Sequence, residues 1–289
     1  MSCCAGASMP EEPTTASDYS PEMLALVRQT CLYVATVLGD LLEDLVIVGG
    51  LVPTLLIDQE SLSAGAESHV GTMDLDLGLA LVLLEEGRYH EMARRLRQAG
   101  FSQDLNERGN PTRQRWKIDS PAKVTVDFLV QPSLPGDRAG TVRDIEPDLA
   151  AFIAPGLHLA FRDREQVTLS GLTILGEQAT RQAWVCGPGA YVVLKALAVK
   201  GRGKFKDAYD LYYLVRNYGR GVADVAARLK PLLDDEKARE AMDILKEEFQ
   251  AEDRIGPVRV ALFLTAGPEE EIRADVVGFI RLLLAELTL

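Results

Sequence analysis

Ligands for zinc and partners for disulfide bonds are scarce in this sequence. It contains four cysteines, Cys3, Cys4, Cys31 and Cys186, with no Cys-x-x-Cys pair, and only three scattered histidines. A structural zinc site needs closely spaced cysteine and histidine ligands, so we expect no zinc. We also expect no disulfide framework, because four cysteines are too few to cross-link a chain of 289 residues.

The sequence also lacks secretory signals and an excess of positive charge. Its first residues have neither the basic start nor the long apolar core of a signal peptide, and no run predicts a membrane span. These absences predict a reduced cytoplasmic protein without a membrane partner. The formal net charge of −12 does not favour non-specific binding to phosphate backbones, although a local basic patch can bind nucleic acid within an acidic chain.

Composition and periodicity change along the chain. Residues 1–19 are rich in Ser, Pro, Thr and Glu, which predicts a disordered tail. Strand and helix periods alternate over 20–180, and helical periods dominate over 181–289 after a change of pattern at 176–187. We therefore predict an α+β fold, with a mixed sheet in an N-terminal domain and a helical C-terminal domain.

Local signals indicate the individual elements. Ser20-Pro21 is typical of a helix start, because serine caps the first turn and proline fits its first position. Ser170-Gly171 lies between two β-branched runs and predicts the turn of a hairpin. The other elements predicted from periodicity are strands at 45–48, 72–77, 113–118 and 123–130, and helices at 23–39, 51–57, 85–100, 191–199, 206–215, 222–233, 236–249 and 269–287.

Three aspartates lie on predicted strands. Asp74 and Asp76 are two residues apart, so their side chains point to the same face of one strand. Adjacent carboxylates repel each other unless a cation lies between them, and Mg²⁺ prefers carboxylate oxygens together with substrate phosphates. Asp127 lies in an otherwise apolar strand, where an unpaired carboxylate would be costly. If these two strands are neighbours, the three carboxylates form one site for Mg²⁺ or Mn²⁺.

Two glycines precede the aspartates. Gly49 and Gly50 follow a buried strand and begin a helix, an arrangement that lets backbone N–H groups approach a phosphate. Each signal alone has a commoner explanation: a turn for Gly-Gly, a solvated face for Asp-x-Asp, and an edge-strand charge for Asp127. Their order and spacing together favour a two-metal site for nucleotide chemistry.

The same order resembles the signature of the DNA-polymerase-β-type nucleotidyltransferase superfamily, through Val48-Gly49-Gly50 and Gly71-Thr72-Met73-Asp74-Leu75-Asp76-Leu77. Within it, the chain is similar to the AbiEii-like nucleotidyltransferase toxins. These have a lysine on a helix and then a Lys/Arg-Asp-x-x-Asp-Leu segment, here Lys195 and Lys206-Asp207-Ala208-Tyr209-Asp210-Leu211. The similarity covers about residues 44–216. Two departures are Gly-Gly in place of Gly-Ser, and His69 where relatives often have a basic residue.

This resemblance implies a nucleotidyltransferase fold and transfer of a nucleoside monophosphate from NTP·Mg to a hydroxyl. It further implies an RNA acceptor, the 3′ end of a tRNA, and a toxin restrained by a cognate antitoxin. The roles expected from pattern and resemblance are metal binding by Asp74, Asp76 and Asp127, with Asp127 beside the acceptor hydroxyl, nucleotide binding by Gly49, Gly50, Thr72 and Lys195, and orientation of Lys195 or a basic neighbour by Asp210.

Basic residues form two clusters that would suit a path for RNA. The alternative is that they are ordinary solvated side chains. Gly201 and Gly203 in the second cluster favour a mobile loop. Tyr209, Tyr212 and Tyr213 either stack on a base or belong to the core. The clusters are Arg94, Arg95, Arg97, Arg108, Arg113 and Arg115, and then Lys195, Lys200, Arg202, Lys204 and Lys206.

Other functions are compatible with the same motifs. A small-molecule nucleotidyltransferase, such as one that modifies aminoglycosides, would suit the acidic charge because its substrate is a polycation. A catalytically inactive nucleotidyltransferase fold that serves as a binding module is a second alternative, against which the three intact carboxylates argue. An α/β protein with an accidental motif is the third.

Overall fold

The structure is a computed structural model that describes residues 13–62, 67–80, 87–106, 108–119, 123–147 and 149–287. These residues form a nine-stranded sheet and ten α-helices. Both parallel and antiparallel neighbours occur in the sheet. The predicted α+β class with a mixed sheet is therefore confirmed.

All strands precede residue 187. They are β1 (Leu45–Val48), β2 (Asp74–Leu79), β3 (Ser102–Leu105), β4 (Pro111–Asp119), β5 (Lys123–Val130), β6 (Val142–Glu146), β7 (Leu149–Ile153), β8 (Arg164–Leu172) and β9 (Gln178–Cys186). Seven of them follow the order β3-β4-β5-β2-β1-β9-β8, and β7 pairs with both β5 and β6. Strands β2 and β5 thus lie side by side at the centre of the sheet.

Alternation along the two central strands orients their acidic residues. Leu75 and Leu77 of β2 are buried, as are Val126 and Phe128 of β5. Because successive side chains of a strand point to opposite faces, burial of these apolar residues directs the intervening residues to the other face. Strand β1, whose four residues are all buried, runs antiparallel to β2 on its other side.

The helices lie mainly in the C-terminal part. They are α1 (Pro21–Leu38), α2 (Val52–Leu56), α3 (Arg88–Gln98), α4 (Leu159–Arg162), α5 (Pro188–Arg202), α6 (Phe205–Asn217), α7 (Val222–Leu229), α8 (Glu236–Phe249), α9 (Ile255–Thr265) and α10 (Glu270–Leu287). From Pro188 to Leu287 every element is helical, as predicted for this half. The helix predicted at 85–100 begins at Arg88, and its residues 85–86 lie outside the described part of the chain.

Helix α1 is a core helix. The hydroxyl of Ser20 accepts a hydrogen bond from the Met23 N–H at 3.2 Å, which confirms the predicted cap. By length and composition alone the stretch Pro21–Asp44 would suit a membrane span, contrary to the sequence-based expectation. However, Val27 and Leu38 are completely buried, and α1 packs against β8 and β9. Packing in the core of the protein thus accounts for its apolar character.

The segment before α1 departs from the disordered tail predicted at 1–19. Residues 1–12 lie outside the described residues, whereas Ala16–Asp18 form one turn of 3₁₀ helix. Next to it, the ring of Tyr19 packs edge-on against Phe263 of α9, with 5.8 Å between the ring centroids. An aromatic side chain thus attaches this segment to the helical part.

The predicted hairpin turn at Ser170-Gly171 is wrong. Strand β8 continues through both residues, and Gly171 pairs with Ala179 of β9. The connection follows instead at 173–177, where Gly176 has a φ of +80° and the Thr173 N–H donates to the Glu177 carbonyl oxygen. A glycine in the left-handed region explains why the chain reverses there.

The junction of the two halves is continuous. Strand β9 crosses the boundary predicted at 180/181, pairs with β1 and β8, and leads within two residues into α5. Helix α5 includes Gly201 and ends where Gly203 has a φ of +71°, two residues before α6 starts. The segment expected as a mobile basic loop is therefore the last turn of a helix and a short connection.

Candidate metal and nucleotide site

Three carboxylates meet on one face of the central strands. In the parallel pairing of β2 with β5, Asp76 is the direct partner of Asp127 and Asp74 is the partner of Thr125. One carboxylate oxygen from each aspartate lies within 4.8 Å of the others. The condition set by the sequence, that the two strands be neighbours, is met. We call Asp74, Asp76 and Asp127 the aspartate triad.

Charge is costly within the aspartate triad. Burial raises the pKa of Asp76 well above its ordinary value, and repulsion from Asp74 and Asp127 raises it further. Burial also raises the pKa of Asp127, against the hydrogen bonds and attraction of the Arg115 guanidinium. Carboxyl groups that are costly to ionise in a folded protein become favourable partners for a cation placed between them.

The donors of the triad fit a hard divalent cation. All three are carboxylates, and carboxylate oxygens suit Mg²⁺ and Mn²⁺ rather than the softer metals that prefer thiolate or imidazole. Mg²⁺ takes one or two protein carboxylates together with substrate phosphates and water. The residues present therefore fit a metal shared with a phosphate-bearing substrate.

Arg115 contacts the triad from the neighbouring strand β4. The antiparallel register of β4 and β5 places Arg115 directly opposite Asp127. Its Nε donates to Oδ1 of Asp127 at 2.7 Å, and its Nη2 donates to Oδ2 at 2.6 Å. Asp127 is thus held by a two-point ion pair, a contact that sequence analysis did not identify. The short spacing between the strands predicted at 113–118 and 123–130 was the available signal, since an antiparallel pairing of Asp119 with Lys123 also pairs Arg115 with Asp127.

Gly49 and Gly50 bring the backbone against the triad. Gly49 has a φ of +71°, and a Cβ on it would overlap the carboxylate of Asp76. A Cβ on Gly50 would lie 2.7 Å from Oγ1 of Thr72 and 3.0 Å from Nζ of Lys206. The helix that follows, α2, has only five residues, so close approach of the backbone matters more than a helix dipole here.

Thr72 orients one of the aspartates. Its hydroxyl is buried and donates to Oδ1 of Asp74 at 2.8 Å. Thr72 was predicted to bind the nucleotide, and the structure places it between Gly50 and Asp74. Its observed contact fixes the Asp74 carboxylate in position.

Lys195, on α5, is buried between two carboxylates. Its Nζ donates to Asp207 at 2.8 Å and to Asp210 at 2.7 Å, both on α6. Burial disfavours the ammonium, but attraction to both carboxylates outweighs this effect and raises the pKa of Lys195 above its ordinary value. The expected contact of Asp210 with Lys195 is therefore present. The lysine is a fixed positive charge whose attraction offsets a small part of the rise in the pKa of Asp76.

A second lysine, Lys206, lies beside the glycine turn. Its Nζ donates to Oδ1 of Asp210 at 2.7 Å and faces Gly50. Burial lowers the pKa of Lys206, against the attraction of Asp210. From the sequence, Lys206 was expected in a basic cluster and as the first residue of the Lys-Asp-x-x-Asp-Leu segment, without a role of its own at the site. Its spacing of four residues from Asp210 on one helix was the signal that could have identified it.

His69 supports Asp210 from the loop before β2. Its Nδ1 accepts a hydrogen bond from the Gly71 N–H at 3.0 Å, so its Nε2 carries the hydrogen that is donated to Asp210 at 2.9 Å. Burial lowers the pKa of His69 to about 4, despite the contact with Asp210. His69 is therefore neutral at pH 7, and it does not supply the positive charge expected near this position from the resemblance.

Arg202 adds an exposed positive charge near the triad. Its guanidinium donates two hydrogen bonds to Asp207, at 2.7 and 2.8 Å, from the last turn of α5. Its attraction, like that of Lys195, opposes the rise in the pKa of Asp76 that burial and the neighbouring aspartates cause. Carboxylates on β2 and β5 thus face basic side chains on α5 and α6, in the arrangement expected for metal and phosphate.

Most residues of the two predicted basic clusters are committed to ion pairs. In the first cluster, the pairs are Arg94 with Glu91, Arg95 with Glu91 and Asp40, Arg113 with Asp144, and Arg115 with Asp127. In the second, they are Lys195 with Asp207 and Asp210, Lys200 with Glu247, Arg202 with Asp207, and Lys206 with Asp210. RNA would therefore have to compete with these carboxylates for the basic side chains.

The tyrosines of α6 belong to the core. Tyr209, Tyr212 and Tyr213 are each at most 5% exposed. Tyr209 packs against His69 and Phe263, with ring centroids 5.2 and 4.9 Å away. Of the two interpretations of these rings, the structure supports the core rather than a platform for a base.

Comparisons with known proteins give no family for this chain. Neither a scan against models of protein families nor a search of curated proteins finds a match.

Proposed function

We propose that this protein is a metal-dependent nucleotidyltransferase, which transfers a nucleoside monophosphate from an NTP to a hydroxyl group. The observation that carries the proposal is the convergence of Asp74, Asp76 and Asp127, with carboxylate oxygens within 4.8 Å of one another. Beside them lie a glycine turn and basic side chains. This combination suits phosphoryl transfer, because catalysis of that reaction rests on positioning and on neutralising charge. The fold proposed is that of the DNA-polymerase-β-type superfamily.

The proposed reaction forms one bond and breaks one bond at the α-phosphorus. The acceptor oxygen bonds to this phosphorus as the bond to the pyrophosphate oxygen breaks. Asp74, Asp76 and Asp127 would hold Mg²⁺ or Mn²⁺, which would supply Lewis-acid stabilisation of the charge that develops in this exchange. Asp127 lies beside the acceptor hydroxyl and takes its proton, and Thr72 keeps the Asp74 carboxylate in place.

The basic side chains divide into two roles in this proposal. Lys206, which faces Gly50, and Arg202, which is exposed, bind the phosphates of the NTP. Lys195 acts at longer range, because Asp207 and Asp210 hold it in place as a permanent positive charge. Gly49 and Gly50 let the backbone approach the phosphates.

For the acceptor we propose RNA, specifically the 3′ end of a tRNA, and for the protein the role of a cytoplasmic toxin with a cognate antitoxin. This part rests on the resemblance carried by Lys195 and the segment 206–211. The net charge of −12 confines the contact with RNA to a local surface. Because the basic side chains there are ion-paired, we expect weak and strongly salt-dependent binding of RNA.

A labelling experiment tests the reaction and the acceptor together. The full chain is incubated with each α-labelled NTP and Mg²⁺, in the presence of tRNA or of aminoglycosides. Asp74→Ala and Asp76→Ala are compared with Asp144→Ala, a control at an exposed aspartate of β6. We expect label on tRNA that the first two variants reduce by about a thousandfold and the control leaves within about twofold of wild type.

The other outcomes separate the alternatives. Equal labelling by wild type and Asp76→Ala would contradict the metal site. Label on aminoglycosides alone would favour the small-molecule enzyme. Binding of NTP·Mg without labelling of either acceptor would favour the inactive binding module.

A further inference from the structure

We propose that Arg115 controls the entry of metal into the aspartate triad. In the protein without substrate its guanidinium takes the place of a cation at Asp127, so a divalent ion binds well only together with the nucleotide. This inference rests on the proposed function. It assigns to Arg115 a positioning role: the order in which metal and nucleotide enter depends on where its side chain lies.

The ion pair between Arg115 and Asp127 occupies the oxygens that a metal would use. Both oxygens of Asp127 accept hydrogen bonds from Arg115, at 2.7 and 2.6 Å. A metal ligand must offer a lone pair to the ion, and the guanidinium already engages each oxygen. A divalent cation that approaches Asp127 also meets the repulsion of the guanidinium at the same carboxylate. Arg115 and a metal therefore compete for Asp127.

Arg115 also balances part of the negative charge of the triad. Three carboxylates lie within 4.8 Å of one another. Arg202 is engaged with Asp207, and Lys195 with Asp207 and Asp210. Among the ion pairs of the described residues, the one that involves the triad is that of Arg115 with Asp127. Its removal would leave the triad more negative and more attractive to a free cation.

The side chain of Arg115 is exposed enough to move away from Asp127. Its side chain is 39% exposed, whereas that of Asp127 is 6% exposed. The guanidinium therefore lies at the rim and can leave without unfolding the strand. A guanidinium fork binds phosphate as well as carboxylate, so the triphosphate offers Arg115 a new partner. A nucleotide that enters with the metal thus gives Arg115 a new anionic partner, which a free metal ion does not.

Strand β4 supplies a matched control. Arg113, two residues before Arg115, is also half-exposed and also forms an ion pair, with Asp144 of β6. Asp144 is not part of the triad, so Arg113→Gln removes the same charge and a similar contact from the same strand. A general effect of charge on metal binding would appear in both variants. An effect of the contact with Asp127 would appear in Arg115→Gln alone.

The test is the affinity of the full chain for Mn²⁺, measured by electron paramagnetic resonance with and without a non-hydrolysable NTP analogue. Without nucleotide, we expect Arg115→Gln to bind Mn²⁺ roughly tenfold more tightly than wild type, and Arg113→Gln to stay within about twofold. The analogue should strengthen Mn²⁺ binding by wild type more than by Arg115→Gln. Binding to Arg115→Gln that is equal to or weaker than binding to wild type would overturn the proposal.

Two further variants keep the outcomes distinct. If Arg115→Gln does not fold, Arg115→Lys replaces it. One ammonium covers the two oxygens of Asp127 less well than a guanidinium, so we expect about threefold tighter Mn²⁺ binding than in wild type. An unchanged affinity would overturn the proposal. Asp76→Asn should weaken Mn²⁺ binding in every background. If it does not, the proposed function fails; if it does while Arg115→Gln matches wild type, only the role of Arg115 fails.

Discussion

Nε2 of His69 donates its hydrogen to Asp210 at 2.9 Å, while Nδ1 of the same ring accepts from the Gly71 N–H. This pattern requires a neutral imidazole. Burial lowers the pKa of His69 to about 4 from an ordinary value of 6.5. A histidine with a lowered pKa contributes stability that is fully present above pH 6.5 and is lost as the pH falls towards 4, because the unfolded chain binds the proton more readily.

We therefore predict that wild type loses about 2 kcal/mol of unfolding free energy through His69 between pH 7 and pH 5. In His69→Gln this loss should be absent, so the variant should show a smaller change over the same interval. Urea unfolding at the two pH values measures the difference. Asp76, whose raised pKa acts in the opposite direction, is common to both proteins and cancels. Equal changes in the two proteins would show that His69 is not held neutral.

Asp76→Asn should stabilise the protein when no metal is present. Burial and repulsion from Asp74 and Asp127 raise the pKa of Asp76, so its charge opposes folding at neutral pH. We expect the variant to gain about 1 kcal/mol of unfolding free energy in a chelator. Thermal unfolding of both proteins in EDTA, and again with Mn²⁺ and NTP, measures the difference in stability without and with the ligands. Asp127→Asn is the comparison: it leaves Arg115 without a charged partner and should bring no gain.

Gly49→Ala should disturb the fold and the triad together. The residue has a φ of +71°, and the new Cβ would displace the carboxylate of Asp76. Gly140→Ala is the control, because Gly140 has a φ of +74° but no atom within 4 Å of the new Cβ. We expect both variants to lose about 1 kcal/mol through backbone strain, and Gly49→Ala to lose at least about 1 kcal/mol more. Mn²⁺ binding should weaken in Gly49→Ala only; equal behaviour of the two would argue against contact between Gly49 and Asp76.

Lys195 and Lys206 should separate stability from nucleotide binding. Lys195→Met leaves buried Asp207 and Asp210 with one cationic partner fewer each, and we expect a loss of about 3 kcal/mol. Lys206→Met removes an ammonium whose charge burial already disfavours, so stability should change less. The affinity of Lys206→Met for an NTP analogue should fall by about tenfold, as measured by calorimetry. Loss of nucleotide affinity in Lys195→Met alone would return the phosphate contact to Lys195.

The aspartate triad was predictable because the alternation of side chains along a strand determines the face on which each aspartate lies. Period-two alternation puts Asp74 and Asp76 on one face, and burial of apolar neighbours fixes that face for Asp127 as well. The pairing of β2 with β5 was an assumption, and it is met. The contact of Arg115 with Asp127 was missed because it depends on the register of a hairpin, which is set by its turn.

The sequence indicated which basic residues belong to the site, but not which carboxylates they contact. The motif identified Lys195 and Asp210, but the shared burial of Lys195 with Asp207 depends on how α5 packs against α6, which periodicity does not give. Helix α9 was not predicted because Gly256-Pro257 suggests a break, yet proline is tolerated near the start of a helix. The hairpin of β8 and β9 was misplaced because turn composition at Ser170-Gly171 competed with a second glycine at Gly176.

Strand β9 joins the triad to its basic counterpart. It pairs with β1 beside β2 and continues into α5, which carries Lys195. A break at 180/181 would split this strand and leave β1 with an open edge, which favours aggregation. The acidic and basic halves therefore cannot be recombined as interchangeable modules between proteins. Asp74 and Asp76 on β2 and Lys195 on α5 thus depend on one continuous strand for their relative positions.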